Sequence, residues 1–79
     1  MTEPDTAADC ERIAEAAYAA MYDARPHGVK DCYDDARLYF SRAIEAARRS
    51  GLADDVMRLT RRLENIEVVY NGQFRGVGR

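Results

Sequence analysis

Apolar residues recur every three or four positions along three separate stretches of the chain. In the first stretch these positions are Ala7, Cys10, Ile13, Ala14, Ala17, Met21 and Ala24. A spacing of three and four residues places side chains on one face of an α-helix. The pattern predicts a first helix over about residues 5–24, with Thr2, Asp5 or Thr6 as candidate N-caps.

The second stretch follows a break at residues 25–28, which are Arg-Pro-His-Gly. The residue before a proline avoids the helical region, and a glycine ends helices readily. Asp31 is a good N-cap, so the sequence predicts a second helix over about residues 32–49. Its apolar face consists of Tyr33, Ala36, Phe40, Ala43, Ile44 and Ala47.

The third stretch has the most regular repeat, at successive spacings of 3, 4, 3 and 4, formed by Val56, Leu59, Leu63, Ile66 and Tyr70. It predicts a helix over about residues 53–70 that ends at Asn71-Gly72. Ser50-Gly51 is typical of a helix C-terminus and predicts a break before this helix. One glycine costs only about 1 kcal/mol inside a helix, so a single rod through Gly51 is the alternative.

The three stretches together predict the fold class. No segment alternates apolar and polar residues over more than four positions, so the sequence predicts no strand. We therefore expect an all-α fold, an antiparallel three-helix bundle that forms one domain over residues 1–72. Residues 73–79 are glycine-rich and predict a flexible tail, from which Phe74 could fold back onto the core.

The second helix resembles the second helix of a tetratricopeptide repeat. The resemblance rests on the Tyr-x2-Ala-x3-Phe-x2-Ala spacing of Tyr33, Ala36, Phe40 and Ala43 within residues 32–51. Residues 59–72 look like the first helix of a following repeat. The likeness implies a helical hairpin that acts as an interaction module, and a small three-helix domain of the microtubule-interacting-and-trafficking type would show the same pattern.

Charge is divided unevenly along the chain. Residues 1–35 contain nine acidic and three basic side chains, whereas residues 36–79 contain five acidic and nine basic ones. The two halves are therefore expected to attract each other when the chain folds back on itself. With 47% hydrophobic and 33% charged residues, the composition argues against a disordered chain and against a membrane protein. The acidic start shows no signal peptide, which favours a cytoplasmic protein.

No motif in the sequence points to catalysis, a metal or a cofactor. His27, Cys32 and Cys10 lack the close paired spacing of zinc ligands. The two cysteines lie near opposite ends of the predicted helical hairpin, too far apart for a disulfide. His27, the one histidine, lies in a turn without a nucleophile beside it. We expect a protein that is not an enzyme and binds no metal or cofactor.

Several large side chains lie off the three apolar faces and predict a partner-binding role. Tyr18, Tyr22 and Tyr39 suit half-buried contact positions, because tyrosine presents both an apolar ring and a polar hydroxyl. On the third helix, Arg58, Arg61, Arg62 and Asn65 are expected on an exposed face. The alternative interpretation needs no partner: the tyrosines belong to the core or to ordinary surface, and the arginines form a solvated charged face.

We therefore expect a small non-catalytic protein–protein interaction or adaptor module. Its partner would be a protein or peptide segment, acidic or amphipathic in character, that contacts the tyrosines and the arginine face. The thin core also favours a homodimer in which two chains share the apolar face of the third helix. The alternative is a small nucleic-acid-associated regulator that uses the same arginines to neutralise phosphates.

Overall fold

Three α-helices account for most of residues 6–74, which are the part of the chain that the computed structural model describes. The helices are α1 (Ala7–Asp23), α2 (Val29–Arg49) and α3 (Ala53–Val69). A 3₁₀ turn (Pro26–Gly28) joins α1 to α2, and a wider π-type turn (Tyr70–Phe74) extends α3. Residues 6–74 contain no strand. The predicted all-α three-helix bundle is confirmed.

Thr6 caps the beginning of α1. Its hydroxyl Oγ1 accepts a hydrogen bond from the backbone N–H of Asp9 at 3.1 Å, which satisfies one of the N–H groups that the first turn leaves unpaired. Asp9 also places a negative charge near the positive end of the helix dipole. Thr6 was one of three candidate caps, and the other two lie outside the described residues.

The second helix begins earlier than predicted. It begins at Val29, directly after the 3₁₀ turn, so Asp31 lies inside the first turn and is not the N-cap. The physical reason is burial, because Val29 is only 2% exposed and a helix that begins there carries its side chain into the core. An N-cap at Asp31 would contribute less free energy than the burial of the Val29 side chain contributes.

The break between α2 and α3 lies at Gly51, as predicted, so the two helices do not form one rod. Gly51 has a φ of +71°, in the left-handed region that glycine adopts without steric cost. The N–H of Leu52 donates to the carbonyl of Ala47 at 2.9 Å, and the N–H of Gly51 donates to that of Arg48 at 3.1 Å. These two bonds form a Schellman C-cap, which satisfies carbonyls at the end of α2 and turns the chain.

The buried faces of α1 and α2 are built mainly from small side chains. Four alanines have no exposed surface at all, namely Ala14, Ala36, Ala43 and Ala47. Alanines at helical spacing let two helices approach closely and gain dispersion contacts. The largest completely buried side chains are fewer, and they are Phe40, Met21, Leu59 and Ile66. The apolar face predicted for α2 lies in or against the core throughout.

The third helix packs antiparallel to α2 through its predicted apolar face. Leu59 and Ile66 are completely buried, and Val56 and Leu63 pack against the same core. At the far end the rings of Tyr33 and Tyr70 stack at 3.7 Å with only 5° between their planes. This face of α3, which the sequence offered as a surface shared by two chains, packs within one chain.

The helical path continues beyond Asn71-Gly72, where the sequence predicts its end. The π-type turn extends to Phe74, whose ring meets that of Tyr22 edge-on at 5.0 Å and packs against the core. The expectation that Phe74 folds back is therefore confirmed, and this ring contact is the physical reason for the longer helical path. The rest of the predicted flexible tail, residues 75–79, lies outside the described residues.

Replacement of Gly51 by alanine should destabilise the bundle, since a Cβ there meets no neighbour but must adopt a positive φ. We expect Gly51→Ala to lower the free energy of unfolding by about 1 kcal/mol. Gly72→Ala is the matched control, because its added Cβ also meets nothing within 4 Å and its φ is not in that region. Urea unfolding measures both, and equal losses would contradict the role of the left-handed Gly51.

Candidate interaction surface

Two of the arginines that the sequence assigned to a partner are paired inside the chain. Arg58 on α3 reaches Glu11 on α1, donating from Nη1 to Oε2 at 2.6 Å and from Nη2 to Oε1 at 3.0 Å. Arg62 reaches Glu15 in the same way, with Nε and Nη2 each 2.8 Å from a carboxylate oxygen. Such two-pronged contacts are the strongest geometry that a surface ion pair adopts.

The two pairs fix the direction of α3 relative to α1. Glu11 and Glu15 are one turn apart on α1, and Arg58 and Arg62 are one turn apart on α3. Equal steps in the same direction show that α1 and α3 run parallel. The hydrogen bonds from Arg58 hold the pKa of Glu11 below its ordinary value, and Glu15 raises the pKa of Arg62.

The remaining residues of the predicted arginine face differ in their availability. Arg61 is exposed and forms no ion pair with any residue of 6–74. Asn65 is exposed, and its Oδ1 accepts a long hydrogen bond of 3.4 Å from Arg62. The face thus offers one guanidinium without a carboxylate partner inside this part of the chain.

Two of the predicted tyrosines, on α1, lie beside Arg62, whereas the third lies on α2. Tyr18 and Tyr22 contact each other edge-on, their hydroxyls are 2.9 Å apart, and Arg62 lies over the Tyr18 ring at 4.9 Å. The hydrogen bond between the two hydroxyls raises the pKa of Tyr18. Tyr39 belongs to α2, is half-buried, and carries the guanidinium of Arg42 over its ring at 5.3 Å. Only Tyr22 presents half of its surface to solvent.

An apolar groove lies at the corner where α2 turns into α3. This corner groove has a volume of about 400 Å³ and is lined by Arg48, Gly51, Leu52, Ala53, Val56 and Met57. Two large apolar side chains in it are conspicuously exposed, Leu52 by 45% and Met57 by 56%. Apolar side chains gathered in a concave site are typical of a contact surface.

Charged side chains lie at the corner groove and beside it. Arg48 and Arg49 form the last turn of α2, and Arg48 pairs with Glu45 at 3.0 Å. Arg49 forms no ion pair within residues 6–74. Asp54 and Asp55 lie in the first turn of α3, where they line a neighbouring hollow together with Leu52. Basic and acidic side chains therefore lie close to each other around the groove.

Most of the corner groove could not be predicted from the sequence. Met57 belongs to none of the three apolar faces, and Leu52 directly follows the cap glycine and belongs to no repeat. A hydrophobic residue after a C-cap glycine usually packs back on its helix, which is the one local signal available. Here Leu52 stays largely exposed, because its neighbours leave an open groove beside it.

The structure brings together no metal-ligating cluster among residues 6–74. Both cysteines are thiols, Cys10 buried in α1 and Cys32 half-buried in α2. His27 is exposed in the 3₁₀ turn. None of the helices in the described part of the chain is both long enough and apolar enough to cross a membrane.

Loss of the Glu11 carboxylate should remove stability at neutral pH. The pKa of Glu11 is lower in the folded chain than in the unfolded chain. The ionised carboxylate therefore stabilises the fold at pH values above its pKa in the unfolded chain, and this stabilisation is lost as the pH falls through its pKa in the folded chain. We expect Glu11→Gln to cost about 1 kcal/mol at neutral pH, and its stability to converge with that of the wild type in acid.

Glu45→Gln is the matched control, because Glu45 pairs with Arg48 within one helix and holds no second helix. It should change the free energy of unfolding by no more than about 0.5 kcal/mol. Urea unfolding across a pH series measures both variants. A gap between Glu11→Gln and the wild type that persists unchanged in acid would contradict the electrostatic link between α1 and α3.

Comparison of the chain with known protein families, with curated proteins and with solved structures finds no match. The resemblance to a tetratricopeptide repeat therefore stays a prediction. The helical hairpin and the burial of Ala36, Phe40 and Ala43 agree with it, but any antiparallel pair of alanine-rich helices buries such positions. The function is therefore inferred from the side chains on the surface of the bundle.

Proposed function

We propose that this protein is a non-catalytic interaction module that holds a segment of another protein in the corner groove. The observation that carries the proposal is the exposure of Leu52 and Met57 in one concave apolar site on a bundle whose core is thin. Burial of apolar surface contributes about 25 cal/mol per Å², so a chain with few large apolar residues would gain by burying these two. A partner segment supplies that burial.

The borders of the groove define the chemistry of the partner. Arg48 lines the groove at the end of α2 and favours an acidic residue of the partner there. The next residue, Arg49, lines a neighbouring hollow and forms no ion pair within residues 6–74. Asp54 and Asp55 disfavour a second acidic residue at the α3 side. We therefore propose an amphipathic segment with two or three apolar side chains on one face and acidic residues at one end.

The resemblance to a tetratricopeptide repeat supports a role of the same class. Arrays of such helical hairpins bind peptides and proteins on the surfaces that stacked helices leave open. Nucleic acid is the less favoured partner, because Glu11 and Glu15 already neutralise Arg58 and Arg62. A phosphate backbone would have to compete with these two carboxylates.

Peptide selection tests the proposed function. A library of random peptides displayed on phage, selected on the full-length chain, should enrich sequences with apolar residues three or four apart and acidic residues at one end. An enriched peptide, made synthetically, should bind the wild type and lose at least about tenfold in affinity for Leu52→Glu. Fluorescence anisotropy measures both.

Leu38→Glu is the matched control for Leu52→Glu, because both leucines are 45% exposed and only Leu52 lines the groove. The peptide should bind Leu38→Glu as it binds the wild type. Equal losses for the two variants, or no peptide that binds, would refute the groove. A labelled random DNA duplex at low salt is the second arm, and its tight, salt-sensitive binding would favour the nucleic-acid alternative.

A further inference from the structure

The face of α3 that points away from the core carries a stripe of four exposed side chains, Met57, Arg61, Glu64 and Val68. At 100° per residue these positions fall within a narrow sector of the helix surface. Val68 is 69% exposed and Met57 56%, the two highest values among the exposed large apolar residues of 6–74. We call these four residues the outer stripe.

The outer stripe has the same spacing in both directions. Its members follow one another at intervals of four, three and four residues, with an apolar residue at each end and opposite charges in the middle. A stripe of this kind has a twofold axis through its centre, perpendicular to the helix. Rotation about that axis exchanges Met57 with Val68 and Arg61 with Glu64.

The two charges at the centre are not used inside the chain. Within residues 6–74, neither Arg61 nor Glu64 forms an ion pair. The neighbouring arginines on α3 differ in this respect, since Arg58 and Arg62 are both bound to glutamates of α1. The outer stripe thus keeps one positive and one negative side chain available to a second molecule.

We propose that two copies of this chain associate through their outer stripes, with the two α3 helices antiparallel. Each Met57 then faces Val68 of the second copy, and each Arg61 faces Glu64 of the second copy. The contact is self-complementary, which is the condition for a closed twofold dimer. It buries the two most exposed large apolar side chains of the described chain and forms two equivalent ion pairs.

The pattern of charge disfavours the parallel arrangement of the same two helices. In a parallel pair equivalent residues face each other, so Arg61 would meet Arg61 and Glu64 would meet Glu64 of the second copy. Like charges placed opposite each other disfavour association. Thr60 and Asn65 lie on either side of the stripe, and the same rotation exchanges their positions. In the antiparallel pair Thr60 of each copy therefore lies near Asn65 of the other, and both side chains can form hydrogen bonds.

The size of the contact sets its strength. From Met57 to Val68 the stripe spans about 16 Å at a rise of about 1.5 Å per residue. A contact between one pair of short helical faces lies at the small end of specific interfaces. We therefore expect a weak dimer whose population depends on concentration. This self-association does not rest on the corner groove, although Met57 lies where the groove and the stripe meet.

Charge exchange between separately made variants tests the dimer. Sedimentation velocity of the full chain at loading concentrations about a hundredfold apart should show a monomer that becomes a dimer. Arg61→Glu and Glu64→Arg, each alone, place like charges opposite each other twice and should raise the dissociation constant at least about tenfold. An equimolar mixture of the two variants should recover the dimer, because every charge then faces its opposite.

The double variant Arg61→Glu/Glu64→Arg should dimerise as the wild type does, and Leu38→Glu, which lies on α2, should leave the dimer unchanged. Circular dichroism verifies that each variant keeps its helices. A wild type that stays monomeric at the highest concentration overturns the proposal. So does a mixture of single variants that fails to associate, or a dimer that Arg61→Glu leaves intact. The loss of peptide binding in Leu52→Glu tests the corner groove separately, because Leu52 lines the groove and does not belong to the outer stripe.

Discussion

The close approach of α1 and α2 is the constraint on which the rest of the structure depends. Their buried faces consist largely of alanine, with Ala14, Ala43 and Ala47 completely enclosed. A methyl group allows two helices to lie close together but buries little apolar area. Few large side chains are then left to hold a third helix, and on α3 only Leu59 and Ile66 are completely enclosed. The outer side of α3 consequently remains open to solvent.

Arginine compensates for this shortage of apolar contact between α1 and α3. The guanidinium of Arg62 binds both oxygens of Glu15, while its plane lies over the ring of Tyr18. A lysine could not do both, because its ammonium is a single point charge without a planar face. The acidic first half and the basic second half of the chain are therefore partly a folding device. The bundle itself therefore explains Arg58 and Arg62 before any partner is considered.

The regular spacing of apolar residues made the helices predictable. The corner groove was not predictable, because Leu52 and Met57 belong to no repeat. The apolar face of α2 could be predicted because a single face of one helix determines it. The start of α2 could not, since the burial of Val29 outweighs the capping signal of Asp31. The pairing of α1 with α3 could not be predicted from any single helix, because a local pattern does not show which helices are neighbours. The one signal in the sequence is that Glu11 and Glu15 are four residues apart, and so are Arg58 and Arg62.

The third helix also shows why apolar periodicity finds cores more easily than interfaces. Its inner face is uniformly apolar and stands out in any count of hydrophobic positions. Its outer stripe mixes two apolar and two charged residues. A count of hydrophobic positions therefore finds Met57 and Val68 as isolated residues and does not show that they share one face. Charges that interrupt an apolar surface keep a monomer soluble, and they also make it selective. A foreign partner needs only complementary chemistry, whereas a second copy also requires that the pattern be complementary to its own reverse. The outer stripe meets that stricter condition.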